Sequence, residues 1–360
     1  MTSFSETIAR KTRVLVADDS DLMRSLLVEI IGSSMDFRVV AEARTGYEAI
    51  RLLHEVNPDV VTLDLQMPDL GGLDTLGYIM SEAPRPVIIV SSHVADQAKP
   101  ALDALEYGAL DVVAKPAGDE ARDVDILGDR LMDALRAAAS ASVGNLQMRR
   151  RVDGVLKSDS KIHGKARSAI AIAASTGGPR ALAEVVPRLP AALPSAILIV
   201  QHMPATFTKA FAERLASLSA APVKEAVDGE IIQAGTVYIA PGGVHMSLKR
   251  TADGIAISLE DTDPLWGVRP AADILFNAVA KHFGPASAGV VLTGMGRDGA
   301  DGLRAIHEVG GWTAVQDAES CVVYGMPRAA AQYADDEISI EQVAEAVAMR
   351  SLHIARKRRR

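Results

Sequence analysis

The sequence predicts an α/β protein made of two doubly wound parallel sheets, one in each half of the chain. Short apolar runs of strand length alternate with amphipathic segments of helix length along both halves. The runs in the first half are mostly apolar, which is typical of parallel strands buried on both faces. The 360 residues are 48% hydrophobic and only 4% aromatic. We therefore expect two aliphatic cores, since a domain holds roughly 150 residues.

The first half contains five apolar runs separated by helical patterns, for example at residues 22–31 and 101–105. Alternation of this kind builds a parallel sheet with helices on both faces, and ligands bind beyond the carboxyl ends of its strands. The five predicted strands are residues 14–17, 39–43, 60–63, 87–90 and 112–114.

A second α/β block follows a segment of different composition. Residues 131–165 are rich in alanine and serine and then basic. After about residue 140 they have no periodic apolar face, so we predict a linker whose first part can continue a helix. The second block has six predicted strands with helical patterns between several of them, at residues 169–174, 196–201, 237–240, 255–259, 288–293 and 313–315.

The composition excludes several classes of protein. Residues 1–130 carry 23 acidic and 12 basic side chains, and an acidic domain does not bind nucleic acid by simple electrostatics. The chain has neither an 18-residue apolar run nor a signal sequence, so we expect a cytoplasmic protein. Cys321 is the only cysteine, which excludes an intramolecular disulfide and a thiolate zinc cluster. Residues 354–360 are interpreted as a solvated basic tail.

Three carboxylates follow two strands of the first predicted sheet. Asp18 and Asp19 come directly after the first strand, and Asp64 follows the third. Because the carboxyl ends of parallel strands lie at one edge of the sheet, we expect an acidic pocket that is tolerable only around a cation. Mg²⁺ prefers such oxygen ligands. The alternative is that these residues are ordinary polar loop ends.

Ser91 and Lys115 follow the fourth and fifth strands and offer a hydroxyl donor and a point charge for a phosphoryl group. Together with the carboxylates, this pattern resembles the receiver domain of two-component response regulators over residues 12–130. The motifs that carry the resemblance are Asp18-Asp19-Ser20, Asp64-Leu65-Gln66-Met67-Pro68 and Lys115-Pro116. The resemblance implies a flavodoxin-like fold, phosphorylation of Asp64, a phosphate switch at Ser91 and Lys115, and Mg²⁺ held by Asp18, Asp19 and Asp64.

Serine, histidine and aspartate each follow a different strand of the second predicted sheet. Ser175 begins a glycine-rich turn after the first strand, His202 follows the second, and Asp298 lies in the loop after the fifth. The strand ends can bring these residues together as a catalytic triad. Spacing alone equally allows a phosphate site at the glycine-rich turn. His245 also follows a strand, so it can line the same cleft.

Five motifs of the second half resemble the methylesterase domain of the chemotaxis CheB family, within a predicted domain of residues 166–353. The resemblance implies a Rossmann-like three-layer α/β/α fold, the catalytic residues Ser175, His202 and Asp298, and an oxyanion-binding segment around Thr176 and Met295. The motifs are Ala174-Ser175-Thr176-Gly177-Gly178-Pro179, Gln201-His202-Met203-Pro204, Tyr238-Ile239-Ala240-Pro241-Gly242, Leu292-Thr293-Gly294-Met295-Gly296-Arg297-Asp298-Gly299 and Gly325-Met326-Pro327-Arg328.

The chain departs from the pattern of this family at three places. Ala173 stands in place of a glycine two residues before the serine, Gly243-Val244 replaces an Asp-Arg pair, and Ala271 replaces a serine. These positions lie outside the three catalytic residues, so we expect them to affect substrate preference more than chemistry.

The two resemblances together imply a phosphorylation-activated hydrolase of chemotaxis adaptation. It demethylates glutamate methyl esters on chemoreceptors and deamidates specific glutamines there. Its phosphodonor is a histidine kinase of the CheA type, and Mg²⁺ serves the receiver while the esterase needs no cofactor. We expect neither nucleic-acid binding nor membrane insertion. We considered two alternative functions, a DNA-binding response regulator and a catalytically silent binding module. The strand-rich second half and its three intact site residues argue against them.

Overall fold

The structure is a computed structural model that describes residues 10–92, 98–116, 121–146 and 164–357. It divides into two compact units, and the main division along the chain falls between Gln147 and Met148. Residues 147–163 of the predicted linker and 358–360 of the predicted tail lie outside the described residues. Within the described ranges, no helix combines the length and the apolar character needed to cross a membrane.

The first unit contains a five-stranded parallel sheet. Its strands are β1 (Thr12–Ala17), β2 (Phe37–Ala43), β3 (Val60–Leu63), β4 (Val87–Ser91) and β5 (Asp111–Ala114). They lie in the order β2-β1-β3-β4-β5, which confirms the doubly wound arrangement predicted from the sequence. Strands β3 and β4 are buried along their whole length, because helices cover both faces of the sheet.

Two helices of the first unit have a hydroxyl side chain as their N-terminal cap. The Ser20 side chain accepts a hydrogen bond from the N–H of Met23 (3.3 Å), and the Thr45 side chain accepts one from Glu48 (3.2 Å). The last helix continues to Ser140, so the first part of the predicted linker is helical. The helices in this half of the chain are α1 (Asp21–Gly32), α2 (Gly46–Val56), α3 (Gly72–Glu82), α4 (Ala98–Glu106) and α5 (Ala121–Ser140).

The second unit contains a seven-stranded parallel sheet and a separate hairpin. The strands of this unit are β6 (Ala169–Ala174), β7 (Ala196–Gln201), β8 (Val223–Glu225), β9 (Val237–Ile239), β10 (His245–Thr251), β11 (Gly254–Glu260), β12 (Ser287–Val291), β13 (Trp312–Gln316) and β14 (Asp336–Ile338). The parallel sheet has the order β14-β13-β12-β6-β7-β9-β8, which confirms a second doubly wound sheet.

Residues 255–259, predicted as a strand of the parallel sheet, belong instead to the antiparallel hairpin β10–β11. The hairpin buries Met246, Leu248 and Ile257 against the core of the unit and exposes its charged residues. Strands β8 and β14 were not predicted from the sequence, because each is only three residues long, contains charged residues and lies at a sheet edge.

Helices pack on both faces of the second sheet. The C-terminal one continues to Lys357 and buries Ile354, so the first residues of the predicted tail 354–360 are helical because an apolar side chain holds them against the unit. The helices are α6 (Gly178–Val185), α7 (Ala205–Leu218), α8 (Ala272–Phe283), α9 (Ala300–Glu308), α10 (Met326–Ala330) and α11 (Ile340–Lys357).

Strand β6 lies between β7 and β12 in the middle of the second sheet. The chain passes from β6 to β7 on one side and later returns to β12 on the other side. The strand order therefore reverses between β6 and β12, and a crevice opens at the carboxyl ends of strands at such a reversal. Residues that follow β6, β7 and β12 converge there.

Candidate functional site

Ser175 occupies the turn between strand β6 and helix α6. Its N–H donates to the carbonyl of Thr293 (3.0 Å), and its carbonyl accepts from the N–H of Gly178 (2.7 Å) and the side-chain amide of Gln201 (3.0 Å). Gly177 has a φ of 76°, a left-handed conformation that glycine adopts without strain. These contacts fix the backbone of Ser175 at the carboxyl edge of the sheet, and its partly exposed side chain remains available to react.

Ser175 and His202 start from neighbouring positions in the sheet. In the register of β6 and β7, Ala174 pairs with Gln201, so the next residue is the serine on one strand and the histidine on the other. The N–H of His202 donates to the carbonyl of Ala174 (3.0 Å) and extends this pairing by one residue. The structure therefore brings these two predicted site residues to adjacent places.

His202 pairs with Asp298, which lies in the loop between β12 and α9. The Nε2 atom of His202 is 2.8 Å from Oδ2 of Asp298, and the two side chains are 4% and 3% exposed. When Nε2–H donates to this carboxylate, the lone pair of the imidazole is on Nδ1, so Nδ1 is the atom that can accept a proton. This is the arrangement of a general base and its orienting carboxylate.

Asp298 is charged although it is buried. Burial raises the pKa of this carboxyl group, but hydrogen bonding and charge from His202 lower it, and so do the amides of Ala272 (2.6 Å) and Asp273 (3.0 Å). The net pKa lies below the ordinary value of 3.8. The two amides begin helix α8, whose N-terminus favours negative charge. Asp298 therefore stays ionised and can orient the imidazole.

Helix α8 begins without a capping side chain of its own. Its N-cap residue is Ala271, one of the three departures from the family pattern, and Asp298 supplies the missing acceptors from another loop. The N–H of Ala271 donates to Nδ1 of His245 (3.0 Å), and Nε2 of His245 is 3.0 Å from the carbonyl of Asp263. His245 is completely buried. Its ring therefore holds the start of α8. The expectation that His245 lines the cleft is wrong, because the residue has no exposed surface.

Thr176 and Met295 lie on two segments that converge at Ser175. Thr176 is buried and directly follows the serine, whereas Met295 is 36% exposed in the loop after β12. The hydroxyl of Thr293 donates to the carbonyl of Thr176 (3.1 Å) and ties the two segments together. A Cβ atom on Gly294 would lie 2.7 Å from the Cβ of Ser175, so the segments are in close contact. Backbone amides that converge on a serine in this way can bind an oxyanion.

We expect Gly294→Ala to lower ester hydrolysis by about 100-fold, since a shift of roughly 1 Å in a catalytic group costs that much. The added Cβ would overlap Sδ of Met326 and press on Ser175. Steady-state turnover of a chromogenic ester and circular dichroism would measure activity and fold. Gly296→Ala is the comparison, because its Cβ meets nothing within 4 Å although its φ of 90° strains alanine. Equal losses of activity in both variants would contradict a steric effect on Ser175.

Gln201 and Thr293 are positioning residues that the sequence analysis quoted within motifs without giving them a role. Gln201 anchors the carbonyl of Ser175, and Thr293 anchors its N–H and the carbonyl of Thr176. The N–H of Thr293 in turn donates to the side chain of Gln316 (2.9 Å). The available signal was a polar residue at the end of an apolar strand, and Gln201 also lies next to the predicted catalytic His202.

The first unit brings its three predicted carboxylates together. One ligand atom from each of Asp18, Asp19 and Asp64 lies within 4.8 Å of the others, with Asp18 and Asp64 buried and Asp19 exposed. The ammonium of Lys115 is 2.8 Å from Oδ2 of Asp18 and 2.7 Å from Oδ2 of Asp64. Lys115 N–H also donates to the carbonyl of Ser91 (2.7 Å), so the ends of β4 and β5 carry the two predicted switch residues side by side.

Burial and the contacts within this cluster shift the pKa values of Asp64 and Lys115. Burial raises the pKa of Asp64, and Lys115 opposes this rise without cancelling it. Burial lowers the pKa of Lys115, but the two carboxylates outweigh it, and the net pKa is raised. The cluster is therefore short of positive charge. Its all-oxygen donor set, with an exposed third carboxylate, fits Mg²⁺.

The two halves of the chain match two different protein families. Residues 14–123 match the response regulator receiver domain, and residues 170–347 match the CheB methylesterase. The second match excludes the DNA-binding output that the sequence analysis considered, because the output domain is that of a methylesterase.

Relatives match the chain over most of its length. A protein-glutamate methylesterase/protein-glutamine glutaminase from Pyrococcus horikoshii is 42% identical over 346 residues and covers 94% of each chain. One from Salmonella typhi is 43% identical over 324 residues, covering 89% of this chain and 90% of its own. The crystal structure of the Thermotoga maritima CheB methylesterase catalytic domain superposes with a TM-score of 0.50 and 40% identity, covering 51% of this chain and 97% of that one. The chain therefore belongs to the protein-glutamate methylesterase/protein-glutamine glutaminase family, with a receiver domain followed by a CheB methylesterase domain.

Proposed function

We propose that this chain is a phosphorylation-activated hydrolase that demethylates glutamate methyl esters on chemoreceptors and deamidates specific glutamines there, in chemotaxis adaptation. The observation that carries the proposal is the buried His202–Asp298 pair, placed beside Ser175 at the reversal point of the second sheet. The names of the full-length relatives support the substrate class.

Ser175 is the nucleophile in this proposal. Its Oγ attacks the ester carbonyl carbon while Nδ1 of His202 takes the hydroxyl proton, and Asp298 stabilises the imidazolium that results. The amides of Thr176 and Met295 bind the negative oxygen of the tetrahedral intermediate. The C–O bond of the ester then breaks, and His202 gives its proton to the departing methanol, which leaves an acyl-enzyme.

Water completes the reaction. His202 removes a proton from a water molecule, the hydroxide adds to the acyl carbon, and collapse of this second intermediate releases glutamate and restores Ser175. A glutamine side chain follows the same steps with ammonia as the leaving group. These residues supply nucleophile, base and oxyanion donors, and no cofactor enters the proposed esterase reaction.

Asp64 accepts the phosphoryl group in the proposed regulation. Its carboxylate attacks the phosphorus atom of a phosphohistidine on a histidine kinase of the CheA type, and the P–N bond breaks. Mg²⁺, held by Asp18, Asp19 and Asp64, supplies charge neutralisation when it is bound. Lys115 and Ser91 then contact the phosphoryl oxygens and change the packing of the sheet edge, which is the switch.

The domain boundaries remain part of the proposal. We assign residues 12–130 to the receiver, 131–165 to the linker, 166–353 to the methylesterase and 354–360 to a basic tail. The end of α5 belongs to the start of that linker, and the end of α11 belongs to the start of that tail. The acidic receiver argues against nucleic-acid partners, and we propose a cytoplasmic location, where receptors and kinase are accessible.

Methanol release from methylated receptor membranes, with and without a small phosphodonor, tests this function. We expect release that rises on phosphorylation. Absence of release from an enzyme that still cleaves a chromogenic ester would show that chemoreceptors are not its substrate. Absence of both reactions would favour the silent binding module.

Asp64→Asn should prevent phosphorylation and leave basal ester hydrolysis in place, because an amide forms no acyl phosphate and Asp64 lies in the other compact unit from Ser175. Incorporation of labelled phosphate and methanol release would be measured in parallel. Asp69→Asn is the control, since Asp69 is exposed in the same loop. We expect removal of Mg²⁺ by a chelator to mimic the Asp64 variant. Equal stimulation of Asp64→Asn and unmodified protein by the phosphodonor would contradict the assignment.

A further inference from the structure

Trp266 is an exposed aromatic residue that is held in a fixed orientation. It is 48% exposed, and its indole Nε1–H donates to Oδ2 of the buried Asp273 (2.8 Å). The guanidinium carbon of Arg297 lies 4.5 Å from the centre of the indole ring. The two side chains therefore stack, with the cation over the aromatic face, in an arrangement that stabilises both orientations. We call this pair the Trp266–Arg297 platform.

Both residues of the platform are linked closely to Asp298. Arg297 directly precedes Asp298 in the chain, and Met295 of the oxyanion segment is two residues before Arg297. On the other side, Asp273 binds the indole through its side chain and Asp298 through its N–H (3.0 Å). The platform therefore forms part of the rim of the site at which the ester reacts.

The loop that carries Trp266 is firmly anchored. Leu265 and Val268 exchange backbone hydrogen bonds, and Arg269 binds the side chain of Asp261 (2.6 Å) and the carbonyl of Thr262 (2.8 Å). Trp266 itself has a φ of 57°, a left-handed conformation that is strained for a bulky residue. Exposed, strained aromatic residues of this kind are found at functional sites, because stability alone favours glycine there.

The charge of the platform selects for an anionic group. Arg297 is 55% exposed, and its ion pair with Asp301 is long at 3.4 Å. The N–H groups of a guanidinium lie in its own plane, and at the edge that faces away from the ring they can bind a carboxylate in a bidentate manner. The platform thus offers a flat apolar surface beside a donor pair for carboxylate.

We propose that the Trp266–Arg297 platform recognises a carboxylate side chain that flanks the modified glutamate in the polypeptide substrate. This inference rests on the proposed function, in which the substrate is a glutamate methyl ester within a polypeptide. Arg297 binds the neighbouring carboxylate, and the indole packs on the aliphatic part of the same segment. The platform therefore determines substrate preference, and Ser175, His202 and Asp298 perform the chemistry.

Two synthetic peptides test the proposal with the full chain. Each contains one γ-methyl glutamate, flanked on both sides by glutamates in one peptide and by glutamines in the other. We expect the unmodified enzyme to prefer the glutamate-flanked peptide by about tenfold in kcat/KM, mainly through KM, and this preference to disappear in Arg297→Gln. Trp266→Phe keeps the ring and should retain most of the preference, whereas Trp266→Ala should lose it.

Arg304→Gln is the matched control. Arg304 is also about half exposed, also pairs with Asp301 (3.6 Å), and also stacks on an aromatic ring, that of Tyr333 (5.8 Å), but it lies further along α9 from Asp298. We expect this variant to keep the preference. The proposal is wrong if Arg297→Gln keeps it, or if the unmodified enzyme cleaves both peptides equally well. Failure to cleave either peptide, together with no methanol release from receptor membranes, would overturn the proposed function as well.

Discussion

Ser175→Ala is expected to reduce ester hydrolysis by about 10⁶-fold, the loss that removal of a serine nucleophile causes in hydrolases of this mechanism. The hydroxyl is the only group proposed to form a covalent bond with the substrate. The backbone contacts of Ser175 with Thr293, Gly178 and Gln201 do not involve the side chain, so the fold should be unchanged. Methanol release and thermal unfolding of the purified full chain measure both outcomes.

Ser217→Ala is a suitable control for this variant. Ser217 lies on the exposed side of α7, where its hydroxyl donates to the carbonyl of Arg214 (2.7 Å). We expect full activity from it. A Ser175→Ala enzyme that keeps a tenth of the unmodified rate would contradict a covalent mechanism.

Asp298→Asn is expected to lower kcat by about 10⁴-fold, because an amide cannot stabilise the imidazolium of His202 and favours the wrong tautomer. We expect this variant to lose less free energy of unfolding than Asp298→Ala does, because its remaining amide oxygen still accepts a hydrogen bond from the start of α8. Asp298→Ala removes both acceptors of the Ala272 and Asp273 amides and should cost about 1–2 kcal/mol more in the free energy of unfolding. Urea unfolding and single-turnover kinetics separate the two effects.

The contribution of Asp298 to stability should depend on pH in a definite direction. Its pKa in the folded protein lies below 3.8, so the ionised form is favoured by folding. The contribution is fully present above that pH and is lost as the pH falls through the folded pKa. The difference in unfolding free energy between the unmodified chain and Asp298→Asn should therefore narrow below about pH 4. Asp253→Asn, in the exposed hairpin turn, is the control. A constant difference between pH 7 and pH 3.5 would contradict this role.

The positions of the site residues could be predicted because they depend on short-range features. Apolar runs identify buried parallel strands, and residues after such strands must meet at one edge of the sheet. Ser175, His202, Asp64 and Lys115 all follow this rule directly. Asp298 follows it less directly, since it lies several residues beyond β12, and the family resemblance was needed to select it from that loop.

The parts that could not be predicted depend on contacts between distant segments. Asp298 caps α8 although it lies 25 or 26 positions away from the residues whose amides donate to it. No local pattern at Ala271 reveals this contact. The hairpin β10–β11 was assigned to the wrong sheet because an apolar run does not show which strand it will pair with. The stacking of Arg297 on Trp266 is likewise a long-range contact between two loops.

The double role of the Asp298 carboxylate has a consequence for damaged or newly made chains. The carboxylate contacts His202 through Oδ2 and holds the first turn of α8 through both of its oxygens. A chain in which that turn is unfolded therefore also loses the proposed general base, because His202 is no longer oriented, even if Ser175 is still present. Esterase activity then depends directly on whether this turn is folded. On heating, we expect the activity to be lost at a lower temperature than the one at which the sheet unfolds. A partly folded chain is for this reason expected to hydrolyse esters poorly.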